Sequence, residues 1–144
     1  MKEIQTKPTA EAYILHGVEG FKAMRRDVLK SGAKELLLIG AIAREDKVMP
    51  IFFQKWNAER SKKKILMRVL HKEEARGTVP TPPLYKTKFL PPDITNPAVI
   101  NIYGDRVVNV LWKGNYPICF VMANKDIADA YRKYFDMLWK VSEK

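Results

Sequence analysis

The run Glu35-Leu36-Leu37-Leu38-Ile39-Gly40 is apolar at successive positions and lacks the alternation of a strand with one wet face. Such a run suits a strand buried on both sides, which needs helices above and below it and parallel neighbours reached by crossovers. The flanking sequence offers both. Ahead of it, Val18, Phe21, Met24, Val28 and Leu29 recur at helical spacing, and Ser31-Gly32 ends that helix because Gly32 can turn left-handed. Before the helix, Ala12-Tyr13-Ile14-Leu15-His16 reads as a short strand that stops at Gly17, following a polar lead that contains Pro8. After the run, Pro50 suits the first turn of a helix that buries Phe52, Phe53 and Trp56 and ends near Ser61. Ile65-Leu66-Met67-Arg68-Val69-Leu70 is again of strand length. The expectation is a β-α-β-α-β half with right-handed crossovers and parallel strands.

Between residues 76 and 97 stand Pro80, Pro82, Pro83, Pro91, Pro92 and Pro97, most of the 9 prolines in the chain, so helix is excluded there. Inside that stretch Tyr85-Lys86-Thr87-Lys88-Phe89 alternates with period two and reads as a short edge strand. Two further strands, 99–103 and 106–112, are joined by Gly104-Asp105, a tight hairpin signal, and Gly114-Asn115 turns the chain into another at 117–122. A last helix is capped by Asn124, carries Asp126 in its first turn and shows the stripe Ile127, Tyr131, Tyr134, Phe135, Leu138. With no repeat and no linker, residues 1–144 are expected to form one α/β domain. Its mixed sheet has a parallel N-terminal half, an antiparallel C-terminal meander and a C-terminal helix.

Composition narrows the function. With 47% hydrophobic and 29% charged residues in 144, the chain is a folder and not a disordered tail. No apolar run reaches the roughly 18–20 residues of a membrane span, and the start MKEIQTKPTAE has no signal-like apolar stretch, so a cytoplasmic protein with no membrane partner is expected. The single Cys119 leaves no internal disulfide and no Cys-x-x-Cys site, and between Ile118 and Phe120 it reads as a small buried hydrophobe.

Charge is less even-handed, because 26 Lys+Arg against 16 Asp+Glu gives a net +10 that attracts anions without naming one. It is concentrated in Lys55, Arg60, Lys62, Lys63, Lys64, Arg68, Lys72 and Arg76, set against Glu59, Glu73 and Glu74. This segment lacks the interleaved aromatics of a nucleic-acid stacking platform, and a solvated face explains it more simply.

Three parallel strands would bring His16-Gly17, Gly40-Ala41 and His71-Lys72 to one edge of the sheet, where open α/β sheets bind ligands. The helix after Gly17 would aim the N–H groups of Val18 and Glu19 at the same crevice. His16, Gly17, Gly40, Ala41, His71 and Lys72 are therefore the candidate ligand-binding set, for an anionic metabolite or for a sugar helped by Trp56 or Trp112. The simpler alternative is that both histidines are half-exposed strand ends. The chain has no Gly-x-Ser-x-Gly, His-Glu-x-x-His, P-loop or Gly-x-Gly-x-x-Gly, so no catalytic residue and no cofactor is expected. Glu73-Glu74 beside His71 reads as a solvated turn and not a metal site. Gly17 and Gly20 serve to turn the chain and let the helix approach the sheet.

The segment His16-Gly17-Val18-Glu19-Gly20-Phe21 through Asp27-Val28-Leu29 to Leu38-Ile39-Gly40 has a counterpart at the far end of the chain. There stand Asn124-Lys125-Asp126-Ile127-Ala128, Tyr131-Arg132-Lys133-Tyr134-Phe135 and Leu138-Trp139. Together these resemble the sensor domain of archaeal TrmB-like transcriptional regulators over nearly the whole chain. That resemblance implies a phospholipase D-like α/β fold and a role in binding a small effector, sugars in some members. It also implies a homodimer whose DNA contact is made by a winged helix, which the chain is expected to lack since it starts at the sensor domain. Enzymes of the phospholipase D-like group use His-x-Lys-x4-Asp, and here Lys72 follows His71 directly. Two other readings stand beside the sensor: a basic nucleic-acid-binding domain and a small phosphodiesterase.

Overall fold

The computed structural model describes residues 11–144, so the polar lead with Pro8 lies outside the described residues. The apolar run becomes β2 (Glu35–Ala41), hydrogen-bonded on one side to β3 (Leu66–His71), parallel to it, and on the other to β5 (Val99–Tyr103), antiparallel. The remaining strands are β1 (Glu11–His16), β4 (Tyr85–Phe89), β6 (Arg106–Lys113) and β7 (Tyr116–Ala123), and the sheet runs β1-β7-β6-β5-β2-β3-β4. The helices are α1 (Gly17–Lys30), α2 (Glu45–Val48), α3 (Pro50–Lys62) and α4 (Lys125–Val141).

Alternation along β2 divides the core into two layers. Leu36 and Leu38 face α1 and α3, joining Phe21, Met24, Val28, Phe53, Trp56, Met67 and Val69. Leu37 and Ile39 face α4, joining Leu70, Leu90, Ile102 and Phe135. Local signals sit where the sequence puts them. Gly32 ends α1 at φ 75, Gly104 turns the β5–β6 hairpin at φ 54, and the Asn124 side chain accepts a 2.9 Å hydrogen bond from the Ile127 N–H. Gly20 lets α1 lie against β1: a Cβ there would come within 2.9 Å of the Leu15 carbonyl carbon.

The order of the strands departs from the sequence expectation. β1 runs in the same sense as β2 and β3 but is not beside them; it pairs antiparallel with β7 at the far edge, and β7, β6 and β5 intervene. The contiguous parallel set is instead β2-β3-β4, with Tyr85–Phe89 as the expected edge strand. The cause is the meander. Its three antiparallel strands fill the space between β1 and β2, so the α1 crossover spans them.

Candidate functional site

At the C-terminal ends of β2 and β3 the chain forms a small enclosed site on the α1/α3 side. β2 bulges between Ile39 and Ala41, and Gly40 makes that bulge at φ 85 with the Asn96 side chain against it. The bulge sets Ala41 opposite His71, and the Lys72 N–H donates to the Ala41 carbonyl at 2.9 Å. Gly40, Ala41, His71 and Lys72 are thus brought together. His16 and Gly17 are not. They end β1 on the same edge but four strand spacings away, about 19 Å at the usual ~4.8 Å between strands. There His16 is exposed, and Gly17, at φ 70, lies under the Tyr116 ring.

His71 is 1% exposed, and its Nδ1 lies 2.6 Å from Thr87 Oγ1. The Thr87 hydroxyl donates to the Val69 carbonyl, so it accepts from Nδ1–H and leaves Nε2 unprotonated. Burial pushes the His71 pKa down to about 4, so the ring is neutral at physiological pH. It lines a cavity of about 30 Å³ with Arg25, Asp46, Tyr85, Asn101 and Trp112. That volume holds a water or two.

Arg25 governs the electrostatics. Only 1% exposed, it donates from Nε and Nη2 to the two Glu45 carboxylate oxygens at 2.9 Å each, and from Nη1 to Asn101 Oδ1 at 2.8 Å. Its guanidinium also lies 4.8 Å from the Phe21 ring centroid and 5.4 Å from that of Trp56. Beside this pair, Asp46 has a buried Oδ1 with no hydrogen-bond partner, and burial raises its pKa. Burial likewise raises the Tyr85 hydroxyl. The loop leading to α2 carries Ala43 at φ 57, a left-handed conformation that costs a residue with a Cβ, and Arg44 ties that loop to the Gly114 carbonyl at 2.8 Å.

Sequence reasoning missed Arg25, Asp46, Asn101 and Tyr85 at this site. Two of them left a signal: Arg25 falls on the apolar stripe of α1 between Phe21 and Val28, and Asn101 interrupts the apolar Val99–Tyr103 strand. A polar residue on a buried face must find a partner, and these two found each other. Cys119 is fully buried with its thiol pushed up to about 11, as suits a core hydrophobe. Among the described residues no cluster of three His, Cys, Asp or Glu could hold a metal ion, and no helix is long and apolar enough to cross a membrane.

The basic segment divides by residue type. Arg60 is buried and donates to Asn57 Oδ1 and to the carbonyls of Ile65, Leu84 and Pro83, bracing β3 and the proline-rich stretch. Arg68 pairs with Glu35, and Arg76 with Glu73. Lys55, Lys62, Lys63 and Lys64 are exposed.

No protein-family model and no curated protein matches the sequence. Solved structures do. TrmBL2, an archaeal chromatin protein whose structure shows a novel mode of DNA binding, superposes with TM-score 0.61 at 13% identity over 93% of this chain. The match covers 55% of TrmBL2, so this chain spans about half its length. NucT from Helicobacter pylori matches with TM-score 0.61 at 12% identity, covering 93% of this chain and 98% of NucT. Nuc from Salmonella typhimurium, a phospholipase D family member, matches with TM-score 0.57 at 14% identity, covering 93% of this chain and 97% of Nuc. The mixed sheet flanked by α1 and α3 on one side and α4 on the other is a phospholipase D-like fold.

Proposed function

We propose that this chain is the ligand-sensing module of a TrmB-like transcriptional regulator. The observation that carries the reading is the fold shared with TrmBL2 over 93% of the chain, joined to the lack of phosphodiesterase machinery. Only two histidines are present, and neither His16-Gly17-Val18 nor His71-Lys72-Glu73 begins a His-x-Lys-x4-Asp motif. His71, moreover, is buried and neutral, with one ring nitrogen committed to Thr87.

In this reading the effector, a sugar or an anionic metabolite, enters at Gly40, Ala41, His71 and Lys72. The cavity, which Ala41 and His71 line, is too small for such a ligand while α2 is in place, so binding displaces the 42–48 segment. An anionic effector takes over the Arg25 guanidinium from Glu45; a sugar uses Asn101 and the free Asp46 oxygen instead. His16 and Gly17 serve the other end of the edge, too far away to touch the same small molecule. The module acts as a cytoplasmic homodimer, and DNA contact belongs to a winged helix, not to this sheet.

A thermal-shift screen of sugars and phosphorylated metabolites tests this. A ligand at a hundredfold excess over its Kd adds about 2.7 kcal/mol of stability. A hit is expected to lose affinity in His71→Ala and keep it in His16→Ala; a hit insensitive to His71→Ala and bound elsewhere refutes the site. Hydrolysis of a phosphodiester that disappears in His71→Ala would refute the sensor reading in favour of an enzyme. Tight, strongly salt-dependent DNA binding by residues 1–144 alone would favour the nucleic-acid reading.

A further inference from the structure

Away from the strand-end edge, α1 and α3 leave an open groove of about 480 Å³ between them on the outer surface. We propose that this groove is a binding site for a small amphipathic anion, an aromatic or acyl body bearing a carboxylate, phosphate or sulfonate. It is distinct from the effector site proposed above.

The helical register creates it. On α3, Phe52, Lys55, Trp56 and Glu59, with Lys63 at its C-cap, recur at three- and four-residue steps along the side that faces α1, while Phe53, Asn57 and Arg60 turn into the core. On α1, Arg26, Leu29 and Lys30 answer them. The floor is apolar: Leu29, Phe52 and the Trp56 ring, whose Nε1–H already donates to the Arg25 carbonyl at 2.6 Å. The rim is cationic, with Arg26, Lys30, Lys55 and Lys63 against the single carboxylate of Glu59. Among the described residues none of these four cations has a hydrogen-bonded or ion-paired side-chain partner.

Exposed lysines elsewhere, such as Lys62, Lys64 and Lys113, are likewise unpaired among the described residues, so what marks the groove is that its four cations ring an apolar floor. Arg25, Arg68, Arg76, Arg106, Lys125 and Arg132 each hold a carboxylate within ion-pair distance. At the groove Arg26 stands 5.4 Å from the Phe52 ring centroid, and beside it Lys22, which pairs with Glu19 at 3.5 Å, stands 5.5 Å from the same ring. The volume falls within the few hundred to a thousand Å³ usual for small-ligand sites, which are mostly apolar with a few placed polar groups. An apolar floor under unpaired cations complements a molecule with an apolar body and an anionic head, and it repels a cation of the same shape.

The test uses 8-anilinonaphthalene-1-sulfonate, an aromatic anion, titrated into the folded chain. Saturable one-to-one binding is expected, displaced by dodecanoate and not by dodecyltrimethylammonium. The charge-reversed pair Arg26→Glu with Lys55→Glu alters only exposed side chains and is expected to weaken binding about tenfold with an unchanged melting temperature. An equal charge change elsewhere, Lys113→Glu with Lys133→Glu, is expected to leave it within about twofold. Equal losses in both pairs would show mere attraction to net charge and overturn the site. So would displacement by the cationic detergent, the absence of saturation, or displacement by an acidic helical peptide but not by dodecanoate.

Discussion

The two faces of the sheet solve burial in opposite ways. The face under α1 and α3 is thickly covered and yet encloses polar groups, two of them charged: Arg25, Arg60, His71 and Asn101 are all at most 1% exposed. The face under α4 has an apolar core without a buried charge but is thinly covered, because one helix packs over β2, β5 and β6 and leaves β1 and β7 bare. There Ile14 is 49% and Phe120 40% exposed. Burial in this fold follows the number of helices available to a face, not the polarity of the residues beneath them. Where cover is complete, polar groups must be partnered internally, and that is where a site with tuned protonation arises.

Removing a partner from the closed face is the most damaging change. Arg25→Met deletes the guanidinium and strands the Glu45 carboxylate and the Asn101 amide oxygen. Loss of one member of a buried pair costs about 3–5 kcal/mol. Urea denaturation should show that loss, and the double variant Arg25→Met with Glu45→Leu should recover part of it. Full recovery would mean that the pair contributes nothing to stability beyond its own satisfaction.

The same face should make stability depend on pH. The folded-state pKa of His71 is lowered from 6.5 to about 4, so its contribution is complete above pH 6.5. As pH falls the unfolded chain takes up the proton first, and stability declines from near 6.5 down to about 4, by up to about 3 kcal/mol. Asp46, with a raised pKa, works in the other direction near the lower end of that window. The comparison that isolates the histidine is His71→Asn, whose amide can still donate to Thr87. Its denaturation midpoint should flatten between pH 6.5 and 4 relative to the parent, and an unchanged slope would show that His71 is not the titrating group.

Most of this architecture was legible in the sequence, because strands, helices and turns are written in local patterns. The β2 run, the Gly104-Asp105 hairpin and the Asn124 cap each depend on residues a few positions apart. Strand order is not local. Ala12-Tyr13-Ile14-Leu15-His16 signals a strand, yet nothing in it tells whether its neighbour is β2 or β7, and it lies on an exposed edge. For that reason the sequence groups the six candidate residues as one cluster, although only Gly40, Ala41, His71 and Lys72 meet. The buried arginines were hidden differently: in the linear charge count Arg60 looks like Lys62 or Lys63, and only its place on the helix facing the core sets it apart.

A close approach on the covered face gives a smaller effect. Gly20→Ala would place a Cβ 2.9 Å from the Leu15 carbonyl carbon, a backbone atom that cannot swing aside. Pushing α1 away from β1 should cost about 1–3 kcal/mol, despite the better helix propensity of alanine. A thermal melt checks this; a stabilised variant would show that α1 has slack against the sheet, and the contrast between a tight and an open face would weaken.

The open face should tolerate change best. Ile14 and Phe120 are opposite each other across β1 and β7, both exposed. Replacing them with Lys and Thr removes apolar surface that is already in water, so the folding free energy should move by no more than about 0.5 kcal/mol. Self-association is where a difference is expected. Tyr134, Met137 and Val141 of α4 are also exposed, at 56%, 66% and 61%, so this side of the molecule carries several large apolar groups in water. Monomeric proteins seldom leave such surfaces bare, and a second copy of the chain would cover this one symmetrically. Light scattering of the parent should report a dimer that the Ile14→Lys, Phe120→Thr variant loses while keeping its melting temperature. A parent that stays monomeric at high concentration would mean that the bare half of this face is simply solvated. A variant that loses stability together with the dimer would mean that the face is closed after all, by the partner, and that the two sides of the sheet differ only in which molecule covers them.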